Sequence, residues 1–140
     1  MSSFKDYVPD SDKTSKGVKL VLFDRSGKVS NDYVLVRWAY DDTVKAAKDN
    51  LSREISKSLV HIRPDTKPAD AKAIEAKNKE ITDTLVREAQ IAQVAGWSFA
   101  EKATKANVRS FLKSRPDVAD RIDIVSADTK LFFTDSGASS

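Results

Sequence analysis

The chain has no cysteine. A disulfide framework, a thiolate metal site and a cysteine nucleophile are therefore excluded. One histidine, His61, stands alone. Without partners at ligand spacing it supports neither a metal site nor a catalytic triad, and it reads as structural. Glycine is scarce: the four at 17, 27, 96 and 137 are too scattered for a phosphate-binding loop. No apolar run approaches the ~18–20 residues a membrane span needs. The first residues carry no apolar core of a secretory signal.

An excess of one charge is missing too. The 140 residues hold 24 Lys and Arg against 21 Asp and Glu, a net charge of +3. Residues 1–70 hold 13 basic and 11 acidic residues, and residues 71–140 hold 11 and 10. Nearly every Lys or Arg has an acidic residue within a few positions. That pattern makes solvated faces, not the basic stripe of a nucleic-acid binder, so nucleic acid is not an expected partner. Carboxylate pairs such as Asp41/Asp42 and Asp120/Asp123 sit beside Arg and Lys and belong to such faces, with no metal or acid–base role. The chain is expected not to be an enzyme and to need no cofactor.

What remains is a domain-sized chain, 40% hydrophobic and 32% charged, with room for one modest core. Residues 1–16 are polar around Phe4, Tyr7 and Val8 and read as a flexible arm, whose aromatics could also dock on a partner or on the domain. Residues 18–23 (VKLVLF) and 33–40 (YVLVRWAY) are strand signals joined through Gly27, a β-hairpin. On the second, Val34, Val36, Trp38 and Tyr40 share a face. These rings beside Arg37 read as core in preference to a base-stacking platform. Two strands need further layers, so one more short strand is allowed for.

Helices follow. Asp41 or Asp42 caps a stripe of Val44, Ala47, Leu51, Ile55 and Leu59. Residues 60–68 break it at two prolines. A long helix is then expected from Asp70 to about Ala95, with Ile74, Ile81, Leu85, Ala89 and Ala92 on a thin seam, stopped by Gly96 in a left-handed cap. Thr104 caps a short helix burying Val108, Phe111 and Leu112. Ser114 is expected to cap another, with Pro116 in its first turn and Val118, Ile122, Val125 and Phe132 inside. The fold class is α+β: a β-hairpin over residues 18–40 packed against about four α-helices, the C-terminal two thirds mostly helical. Residues 17–134 form the domain, and residues 135–140 are expected to be a disordered tail.

The segment VAGW-SF…KANVRSFLKSRPDVADRID…FF resembles the C-terminal part of tail assembly chaperones from long-tailed bacteriophages. The matching positions are Ala95, Gly96, Trp97, Asn107, Val108, Phe111, Leu112, Pro116, Ile122 and Asp123. DYVLVRWAYDDTVKAAKDNLSRE is similar to the strand that runs into a helix in such proteins. The likeness covers residues 32–133, and its motifs are structural. It implies a protein of the infected host's cytoplasm that binds tape measure or tail tube proteins and keeps them soluble during tail morphogenesis. It also implies a longer form made by frameshifting in many members.

The alternatives are a structural virion protein (head decoration, head–tail joining or tail component) and, behind it, a small nucleic-acid-binding regulator. No membrane association is expected. The aromatics Trp97, Phe99, Phe111, Phe132 and Phe133, near turns and ends, are the candidate partner-binding residues. The apolar faces look large for a lone chain, so a homo-oligomer is a further expectation.

Overall fold

The computed structural model describes residues 3–133. Its sheet starts as the expected hairpin, β1 (Val18–Phe23) against β2 (Val29–Val36). The loop between them closes on Asp24, whose Oδ1 accepts from the Ser26 N–H at 2.9 Å and the Lys28 N–H at 3.1 Å. A bond from the Ser26 hydroxyl at 2.9 Å, with these two backbone bonds behind it, holds the Asp24 carboxyl below its usual pKa range. Gly27 takes φ +79° there, where a side chain would be strained.

β2 both starts and ends earlier than residues 33–40. After Val36 the backbone leaves the ladder: the Arg37 N–H bonds Gln93 O at 2.7 Å and the Ala39 N–H bonds Ser126 O at 2.8 Å. Trp38 and Tyr40 therefore do not share a strand face with Val34 and Val36. The other edge of β2 is taken by β3 (Val94–Trp97), antiparallel, with Val34 opposite Trp97, Leu35 opposite Gly96 and Val36 opposite Val94. The sheet order is β1-β2-β3.

This third strand corrects the expected end of the long helix. That helix stops at Ala92, and Gln93 closes it at φ −75° in the right-handed region. Gly96 is a strand residue with no positive φ; a Cβ there would lie 3.5 Å from Leu35 Cδ1, ordinary contact. The free edge of β2 needs backbone partners, and that demand outweighs the helical spacing of Val94.

Among the described residues there are five α-helices, α1 (Ser11–Lys16), α2 (Asp42–Ser58), α3 (Pro68–Ala92), α4 (Lys105–Ser114) and α5 (Pro116–Ala127), with single 3-10 turns at Phe4–Tyr7 and Thr129–Phe132. The helix not expected is α1, which lies in the supposed arm. Asp10 caps it by accepting from the Asp12 N–H at 2.9 Å. The segment is tied down: the Asp10 N–H bonds Phe132 O at 2.8 Å and the Trp38 N–H bonds Thr14 O at 3.2 Å. Lys13 Nζ donates to Phe133 O at 2.8 Å. Gly17 ends the helix at φ +93°, and a Cβ there would stand 2.9 Å from the Val36 nitrogen. Conformation and space both demand glycine. Phe4 and Tyr7 stay exposed, at 76% and 71%.

Asp41 caps α2 through the Thr43 N–H, and Thr104 caps α4 through the Asn107 N–H, as their sequences predict. Ser114 does not cap α5. Its hydroxyl donates back to Ser110 O at 3.1 Å, Arg115 holds the cap position, and Pro116 opens the helix. α5 also stops short of the two phenylalanines, which belong to the 3-10 turn and its end.

The core lies between one sheet face and α4, α5 and the end of α3. Leu20, Leu22, Val34, Val36, Ile91, Val94, Val108, Leu112, Val118, Ala119 and Ile122 form one buried cluster. Each fully buried aliphatic side chain contributes about 1.5–3 kcal/mol against exposure. The α2–α3 hairpin differs. Of the expected α2 stripe only Val44 is fully buried, while Ala47, Leu51, Ile55 and Leu59 are half-buried. At its far end Asn78 stands in for missing backbone partners, accepting from the Val60 N–H at 3.0 Å and donating to Val60 O at 2.8 Å. The tail at residues 135–140 lies outside the described residues. No described helix is long and apolar enough to cross a membrane.

Candidate partner-binding surface

Trp97 enters this surface from the last residue of β3. Cross-strand pairing puts it on the Val34 side of the sheet. The chain then turns, and the turn is fixed by hydrogen bonds. Ser98 Oγ accepts from the Tyr33 N–H at 2.9 Å and donates to Asp32 Oδ1 at 2.9 Å. Trp97 Nε1 donates to Glu101 O at 2.6 Å. Asn107 Nδ2 donates to Lys102 O at 2.8 Å, tying the turn to α4.

These bonds hold three rings together. Trp97 and Phe99 have centroids 5.1 Å apart, Phe99 and Phe111 5.1 Å, and Trp97 and Phe111 5.7 Å, all edge-to-face. Edge-to-face pairs match positive ring edges to negative faces and add about 0.5–1.5 kcal/mol each beyond burial. All three rings pack on the core with one side and remain half-buried. Beside them opens a cleft of about 330 Å³ lined by the three rings with Glu101, Asn107, Ser110 and Ser114.

The other two candidates part company with this triad. Phe132 is fully buried; its ring lies 6.5 Å from Trp38, whose Nε1 donates to Thr129 Oγ1 at 3.2 Å. Phe132 therefore fills the junction of the C-terminal turn and Trp38 and offers no surface. Phe133 is half-buried beside α1, its carbonyl held by Lys13. Of the five sequence-chosen residues the fold thus brings Trp97, Phe99 and Phe111 together and leaves Phe132 and Phe133 elsewhere.

A second, larger cleft of about 530 Å³ opens where the α2–α3 hairpin leaves the sheet, with Ala47, Leu51, Leu85, Ala89, Ala92 and Val108 among its walls. Small alanines leave the room. At its rim Arg109 grips Glu88 with two donors, the Nη2–Oε2 distance being 2.9 Å, and holds the Glu88 carboxyl below its usual pKa range.

Arg37, also in that wall, has a role that its sequence position does not announce. Its guanidinium donates to Ser15 O at 3.2 Å, Ala92 O at 2.8 Å and Val94 O at 3.0 Å. It joins α1, the end of α3 and β3, so it is neither a free cation nor part of a stacking platform. Only its place just past an apolar strand hinted at this, and that hint names no partner.

His61 is exposed in the α2–α3 turn. Among the described residues no group of three or more His, Asp or Glu stands together as metal ligands would. What the surface can do is hold an apolar group against three fixed rings, with neutral and acidic hydrogen-bonding groups at the rim. No family model, no curated protein and no solved structure matches the chain.

Proposed function

We propose that the chain is a binding protein of phage tail morphogenesis, a tail assembly chaperone that holds tape measure or tail tube subunits soluble in the host cytoplasm until the tail polymerises. The observation that carries this reading is the half-buried ring triad of Trp97, Phe99 and Phe111 beside an open cleft. The same residues belong to the stretch that resembles the chaperone family. Partly buried aromatics on a fixed frame, their free edges lining a cleft, are good anchors for an apolar helical client, because little side-chain freedom is lost on contact. Covering such a client suppresses its aggregation.

Co-expression with the tape measure or tail tube protein tests it. The wild-type chain should keep the client in the soluble fraction. Ser110→Glu, an exposed change in the cleft wall, should return it to the pellet with the chain's own stability unchanged. A client that precipitates with the wild-type chain, or stays soluble with Ser110→Glu, overturns the reading. Stoichiometric copies in purified particles would make the chain a structural virion protein instead.

A further inference from the structure

The sheet stops at β1, and among the described residues no strand covers its outer edge. In an antiparallel ladder the N–H and C=O of one residue point to the same side, and successive residues alternate. Leu22 O points toward β2, where it accepts from Ser30 Oγ at 2.8 Å. Its neighbours Val21 and Phe23 point outward. Val21 O accepts from Arg121 Nη2 at 3.2 Å, and Phe23 O accepts from Arg115 Nη1 at 3.2 Å. Two arginines, one on α5 and one at its cap, thus occupy the places a neighbouring strand would fill.

The positions they guard are apolar. Val21 and Phe23 are 42% and 44% exposed. The Arg121 guanidinium also lies 5.3 Å from the centroid of the Phe23 ring. The guard is unevenly held. Arg115 is fixed by a two-pronged ion pair to Asp117, at 2.9 and 2.8 Å. Arg121 Nη1 is buried without a hydrogen-bond partner, so Arg121 is the weaker half.

The edge is also self-complementary. Antiparallel pairing of VKLVLF with a second copy, centred on Val21, sets Val21 opposite Val21 and Lys19 opposite Phe23. No like charges oppose one another, and a cation meets the ring that Arg121 covers now. We propose that Arg115 and Arg121 form a guard that keeps β1 from pairing with β1 of a second copy of this chain. Edge strands commonly need such protection, and charged side chains supply it.

The test compares the full wild-type chain with Arg115→Gln/Arg121→Gln by sedimentation equilibrium. The double variant should self-associate at least tenfold more tightly. Its Val21 and Phe23 amides should become protected from hydrogen exchange as concentration rises. Adding Val21→Lys, which sets like charges opposite in the symmetric pair, should return association to the wild-type level. An unchanged association constant, or tight association that survives Val21→Lys, overturns the proposal. Should the double variant not fold, Arg121→Gln alone, followed by the same amide protection, decides it in the same way.

Discussion

Two parts of this chain carry the same kind of apolar sequence and make different structure from it. The body, formed by the sheet with α4 and α5, buries Val34, Val36, Val108, Leu112, Val118 and Ile122 almost completely. The α2–α3 hairpin buries no side chain fully between Lys45 and Ala89. Its stripes are as regular as those of α4, yet along most of their length they meet mainly each other. Two helices can cover one flank of each stripe; a third layer is needed to close the rest. Burial is thus decided by how many layers the topology places over an element. The periodicity of that element alone does not decide it.

The sharpest way to break this contrast is truncation on each side. Leu112→Ala, in the body, should cost about 3–5 kcal/mol, because a fully enclosed side chain leaves a cavity. Ile81→Ala, in the hairpin, should cost only about 1 kcal/mol, since solvent already reaches the site. Urea unfolding midpoints measure both. Equal losses would mean that something covers the hairpin in solution, a second copy first of all. Native-state hydrogen exchange sharpens the same contrast: amides from Ile55 to Ile81 should open well below the global unfolding free energy.

The next effect concerns the residue that joins the parts. Arg37→Ala removes three charge-assisted bonds and leaves the Ala92 and Val94 carbonyls without their donor. A loss of about 2–3 kcal/mol is expected, with faster exchange at residues 13–16, which Arg37 ties through Ser15. A change within 0.5 kcal/mol would mean that water replaces the guanidinium and that α1 is held by its backbone bonds alone.

Much of this architecture is legible in the sequence, and the failures have physical causes. The hairpin, the Asp41 and Thr104 caps, the proline break and the amphipathic stripes are local signals, and local chemistry reads them. β3 was hidden because Val94 fits a helical stripe as well as a strand, and only the vacant edge of β2 decides between them. α1 was hidden because six polar residues have no hydrophobic pattern; it is placed by backbone bonds to Phe132 and Trp38, far apart in sequence. For the candidate site, the sequence marks Trp97, Phe99, Phe111, Phe132 and Phe133 alike, and only the fold shows that a turn and a short helix bring the first three together. Phe132, expected both inside and as a candidate anchor, is core and no anchor, its ring packed near Trp38, distant in sequence.

The smallest expected effect tests the α5 end of the body by pH. The Arg115 guanidinium, hydrogen-bonded to Asp117, draws that carboxyl down from 3.8 to about 2. A carboxyl whose pKa is lower in the folded state binds fewer protons there than in the unfolded chain. It therefore stabilises the fold above pH 3.8, and that contribution is lost as pH falls toward 2. The Asp117 side chain is 59% exposed, so solvent screening reduces the contribution to roughly 0.5 kcal/mol. Asp117→Asn should lower stability by that amount at pH 7 and by nothing near pH 2, so the two unfolding curves should converge between pH 4 and pH 2. A constant offset across that range would mean that Asp117 acts on the first turn of α5 through hydrogen bonding, without its charge. The pair with Arg115 would then steady the guard of β1 by geometry alone.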